Sequence, residues 1–82
     1  MSDPISQRVE QYRDALAQAT FWSKQVELHR GLAAAAAARG DTQSASYHDE
    51  MWRQARKARD EYQEAVERLY RLVMRDEASS HE

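Results

Sequence analysis

Two histidines, His29 and His48, are the residues whose type most readily does chemistry in this chain. Glu27, Asp49 and Glu50 are close to them in sequence, so a zinc or iron site can be drawn around them. The pattern is thin, however. The chain has no Cys, and no Glu-x-x-His or His-Glu-x-x-His run sets further donors on one helix face. Histidines with ordinary hydrogen bonds in a core or interface are the simpler reading, so no metal and no cofactor is expected.

The stretch Trp52–Arg59 holds four basic residues, Arg53, Arg56, Lys57 and Arg59. Alone, such a run can bind phosphate. Here Asp49 stands four before Arg53, Asp60 four after Arg56 and Glu61 four after Lys57, and Glu64–Arg68 and Glu67–Arg71 continue the pattern. Helix-spaced ion pairs of this kind make a solvated, charge-balanced face. The net charge of −2 adds no bulk attraction for nucleic acid. Arg39-Gly40-Asp41 matches an integrin-binding tripeptide, but Gly is also the residue that ends a helix and Asp one that starts the next. There is no nucleophile beside a base, no Gly-rich phosphate loop and no pair of pocketed carboxylates. The expectation is a protein that is not an enzyme.

What would position these residues is helix. Ala supplies 14 of 82 residues and charged residues 32% of the chain, with two Gly, one Pro and no Asn. That composition favours long helices and leaves a sheet without its β-branched residues and turns. The one strong break is Gly40-Asp41-Thr42; at the other end Asp3 is a good N-cap and Pro4 suits the first helical position. The spacing predicts a single domain: a cap at 1–3, helix 1 over 4–39, a turn at 40–41, helix 2 over 42–76 and a disordered tail at 77–82. Each helix would run ~50 Å at 1.5 Å per residue. No apolar run is long enough for a signal peptide or a membrane span, and the expectation is a cytoplasmic protein without membrane or nucleic-acid partners.

Helix 1 carries Ile5, Val9, Tyr12, Leu16 and Ala19 at alternating spacings of four and three, the mark of a coiled-coil seam. The stripe then steps to Trp22, Val26, His29 and Ala33, which reads as a local register shift. Helix 2 has Ala55, Tyr62 and Leu69 in a central column. Trp52, Val66 and Val73 flank one side, interrupted by Arg59, and Met51, Ala58, Ala65 and Leu72 flank the other. A turn centred on Gly40 and Asp41 sets Ala19 opposite Tyr62, Leu16 opposite Ala65 and Val66, and Trp22 opposite Ala58 and Arg59. Farther from the turn, Tyr12 falls opposite Leu69 and Val9 opposite Leu72 and Val73. His29 and His48 fall about one turn apart.

Apolar residues remain once this seam is filled. Phe21, Leu28 and Leu32 share another stripe of helix 1, and Tyr70 and Met74 one of helix 2. With Trp22, Met51 and Trp52 beside them, they are the candidate interaction residues, since exposed Trp often anchors a partner. Three apolar residues per heptad are more than one neighbouring helix covers. The fold expected is all-α, an antiparallel, coiled-coil-like two-helix hairpin that dimerises into a four-helix bundle. The function expected is a self-associating assembly or adaptor protein, with a metal-binding bundle on His29 and His48 as a further alternative.

In outline, the Gly40-Asp41 turn between two heptad-bearing helices resembles the hairpin co-chaperones of type III secretion needle subunits. That resemblance implies an alternative in which the apolar stripe holds an amphipathic helix of another protein. The outline is also similar to the hairpins of type VII secretion, whose Trp-x-Gly turn is absent here. A third shape analogue is the dimeric copy-control hairpin of plasmids, whose RNA binding finds no clear basic face in this sequence.

Overall fold

The computed structural model describes residues 4–80; the expected Asp3 cap and the last two residues of the expected tail lie outside them. Two helices, α1 (Pro4–Ala38, 35 residues) and α2 (Thr42–Ser80, 39 residues), pack against each other as an antiparallel hairpin. Its extents are 63 × 22 × 13 Å and its radius of gyration is 18.2 Å; a compact chain of this length would have about 12 Å. Among the described residues no helix is long and apolar enough to cross a membrane.

The turn is built by capping. Gly40 takes φ = 76°, the left-handed conformation that closes a helix. Its N–H donates to Ala37 O at 3.0 Å, and the Asp41 N–H reaches back to Ala36 O at 2.9 Å. Together these bonds satisfy the last carbonyls of α1 in a Schellman motif. Asp41 then caps α2: its Oδ1 accepts the Ser44 N–H at 3.1 Å while its carbonyl accepts the Ala45 N–H at 3.0 Å. The Ser44 N–H bond holds the Asp41 carboxyl below its ordinary value of 3.8. Both halves of the Gly-Asp pair are thus occupied at helix ends, as the sequence reading required.

Helix 2 runs past the expected end at Asp76 to Ser80, so the expected disordered tail is helical over Glu77–Ser80. No Gly or Pro interrupts this stretch, and Asp76 is tied to α1. Arg8 Nη1 donates to both carboxylate oxygens of Asp76, at 2.8 and 2.6 Å, and closes the open end of the hairpin.

The seam of α1 departs from the expectation. Ala15, Ala19, Val26 and Ala36 are buried, with Tyr12, Trp22, His29 and Ala33 partly buried between them. Tyr12, Ala15, Ala19, Trp22, Val26, His29, Ala33 and Ala36 form an unbroken alternation of three and four, so there is no register shift. Leu16 is not opposite Ala65 and Val66 inside the seam but lies at its edge, 45% exposed. A small side chain in the seam lets the backbones approach closely, and Ala15 serves where Leu16 would hold them apart. The central column of α2 is as expected, with Ala55 buried and Tyr62 and Leu69 partly so, and it extends to His48 and Asp76 at either end.

Gly31 and Gly40 should respond oppositely to alanine. Gly31 is an exposed helix-interior residue where a Cβ meets nothing within 4 Å; Gly31→Ala should raise stability by about 1 kcal/mol in a thermal melt. Gly40→Ala must hold a left-handed backbone and should lose about 1–2 kcal/mol. The Asp41 cap adds a pH signature. Because its folded-state value is depressed, its stabilisation is complete above the ordinary carboxylate value and fades as the pH falls through the lowered one. Wild type should therefore lose melting temperature relative to Asp41→Asn below pH 3.8, and the difference should be flat at neutral pH.

Candidate interaction surface

The hairpin has two broad faces, and grooves along the seam identify one of them. Arg30 and Ala33 line a groove with Asp49 and Trp52, and Ala34 and Ala37 line one with Ala45 and Ser46. Ile5 and Val9 line another with Val73 and Glu77. Helical spacing adds Leu16 to this face, seven residues from Val9. Tyr70 joins it from α2, its ring 6.1 Å from that of Tyr12 and 51% exposed. Trp52 is partly buried on the same edge. Its Nε1–H is buried without an acceptor, and the Arg56 guanidinium lies 5.5 Å from the ring centre. The indole is held by packing and by this cation rather than by a hydrogen bond.

The opposite face carries the rest of the candidate set. Phe21, Leu28 and Leu32 project from the other edge of α1, 50%, 51% and 40% exposed. Trp22 is partly buried under Phe21, the two rings meeting edge to face at 5.1 Å. Met51 is on the facing edge of α2 and is partly buried. Tyr47, four residues before it, is 59% exposed and was not among the residues singled out from the sequence. The register of the turn sets Tyr47 opposite the alanine run at 33–38 with His48 and Met51, but its side chain lies outside the contact line. The eight candidates therefore divide. Phe21, Trp22, Leu28, Leu32 and Met51 share one face with Tyr47, whereas Trp52 and Tyr70, with Met74 farther round α2, belong to the other.

His29 and His48 are closer than one turn apart. Their Nδ1 atoms are 3.1 Å from each other and the rings stack at 5.4 Å, with the Tyr47 ring set edge-on against His48 at 5.1 Å. The Nδ1–Nδ1 separation is that of a hydrogen bond, and which ring donates is set by the tautomers. Two imidazoles supply half of a tetrahedral ligand set. Among the described residues no third His, Cys, Asp or Glu completes a metal-holding group with them.

The charged face of α2 is partly as its spacing implied. Asp49–Arg53 and Glu67–Arg71 are ion pairs at 3.1 and 3.8 Å. Asp60 takes Arg59 instead of Arg56, at 3.0 Å, because Arg56 is drawn over the Trp52 ring. No protein-family model, curated protein or solved structure matches this chain. What it does has to be read from its own surface.

The histidine contact is open to a double-mutant cycle. His29→Ala and His48→Ala should each destabilise the hairpin, and the pair should show a coupling of about 1 kcal/mol in denaturant unfolding. Additive losses would mean that the two rings do not bond.

Proposed function

We propose that this chain is a non-enzymatic, self-associating helical hairpin: an assembly or adaptor module whose working state is a four-helix homodimer. One observation carries the reading. Phe21, Leu28 and Leu32 stand about half exposed in a regular stripe, while among the described residues no large side chain is fully buried. The exposed area is of a size that supports it. The chain exposes 6361 Å², about 1,300 Å² more than the ~5,000 Å² of a compact chain of this mass. Standard interfaces bury about 800 Å² on each partner, so two hairpins can close a full interface from this surplus. A pair of stacked hairpins would also give Phe21, Leu28 and Leu32 the second neighbour that a single hairpin lacks. In this role the chain presents or bridges partners through the outer surface of the bundle and performs no reaction.

The test is solution mass by light scattering over a range of concentrations, with and without chelator. The expected result is a concentration-independent mass of twice the 9.5 kDa chain, unchanged by chelator. Leu28→Asp should return it to a monomer with most of its helix content retained, because the residue lies outside the hairpin seam. A wild-type monomer with the stripe open would overturn self-association and leave the stripe to an amphipathic helix of another protein. Dissociation or unfolding on chelation would turn the reading to a metal held by His29 and His48.

A further inference from the structure

The self-association proposed above leaves open how two copies meet, and the stripe itself has a direction. Phe21, Gln25, Leu28, Leu32 and Ala35 step by four and three along α1, one residue ahead of the hairpin seam Trp22, Val26, His29, Ala33 and Ala36. They form a second coiled-coil seam on the same helix. Gln18 and Asp14 continue it toward the amino end and Arg39 toward the turn. From Asp14 to Arg39 the order of steps reads the same in both directions, so the strip can pair with its own reverse.

We propose that this strip is covered by a second copy of the chain running in the opposite direction, α1 on α1, with the two-fold axis between Gln25 and Leu28. In that arrangement Phe21 of one copy meets Leu32 of the other, and Gln25 meets Leu28. Asp14 meets Arg39 at both ends. Both residues are exposed, and among the described residues neither closes an ion pair within its own hairpin. Parallel pairing instead sets Asp14 on Asp14 and Arg39 on Arg39, opposing like charges across the seam.

The second helix fits the same axis independently. Ala33 shares a groove with Asp49 and Val9 one with Val73, so the axis crosses α2 near Arg56. On the Met51 edge, α2 presents Tyr47, Met51, Gln54, Ala58, Glu61 and Ala65, again in steps of four and three. Reversal about that point sets Tyr47 of one copy on Ala65 of the other and Gln54 on Ala58. Tyr47 and Gln54 thus each meet an alanine in this layer, and Met51 falls on Glu61.

The chain has no Cys, so single substitutions can be cross-linked cleanly. Phe21→Cys and Leu32→Cys proteins should form no interchain disulfide on mild oxidation when alone and should form one when mixed. Asp14→Cys and Arg39→Cys repeat the experiment at exposed positions that do not disturb the core, with the same expected pattern. Light scattering and circular dichroism of each protein report whether it is a folded dimer. Disulfides formed by single variants alone would overturn the antiparallel arrangement in favour of a parallel one. Dimeric mass with no disulfide in either mixture would overturn the face as well. A monomeric wild type would instead remove the self-association on which the arrangement rests.

Discussion

Two helices in contact along a line have no interior, and every feature of this chain answers to that limit. Close approach requires small residues at the contact, and α1 supplies Ala15, Ala19 and Ala36 with Val26 as the largest buried side chain. The bulky residues are consequently left incompletely covered, whether they stand in the seam or beside it. Trp22, Trp52, Tyr12 and Tyr62 are only partly buried, and Phe21, Leu28 and Leu32 about half exposed. An alanine contact line holds the helices near each other, but it removes little apolar area from water per residue. The hairpin thus has well-determined geometry and a deficit of burial, and that deficit carries the functional reading.

Polar contacts fix what the alanines cannot. The alanine run at 33–38, near the turn, is uniform and by itself specifies little register. The central column of α2 begins and ends with polar residues, His48 and Asp76, and each meets its own partner on α1. Arg8 pins the open end and His29 the turn half. The Schellman bonds and the Asp41 cap set the angle at which α2 leaves the turn. Register is therefore specified by polar contacts and caps at three places along the hairpin, with the apolar seam running between them.

Legibility in the sequence followed side-chain size. The column of α2 was readable because Tyr62 and Leu69 recur at seven with apolar flanks, and the turn because Gly-Asp has few other uses between helices. The seam of α1 departs from the pattern at two points: Val9 and Leu16 are stronger apolar signals than Arg8 and Ala15, yet Val9 and Leu16 lie toward the groove face and Ala15 in the contact line. The register shift expected at Trp22 follows from those two choices. The distance between the histidines was also beyond the pattern, since spacing places Cα atoms and not ring tips. Arg56 shows a similar limit. Its spacing from Asp60 promised an ion pair, but an indole face four residues earlier competes for the same guanidinium. The exposed stripe was legible in full on α1, whereas Tyr47 on α2 was not, being a single ring among polar neighbours.

The confinement of the second seam carries a further consequence. Toward the amino end the same helical positions are Gln18, Asp14, Gln11 and Gln7, which have no apolar content. Anything that covers Phe21, Leu28 and Leu32 by burial alone therefore stops near the middle of the hairpin. The open half, with Arg8–Asp76 and the Tyr12–Tyr70 contact, holds itself closed by its own cross-helix contacts. Hairpin closure and the proposed association consequently draw on different residues: the first on the seam and the polar pins, the second on a stripe one position round the helix. Changes in the stripe should leave the two helices paired, and the proposed self-association needs that separation.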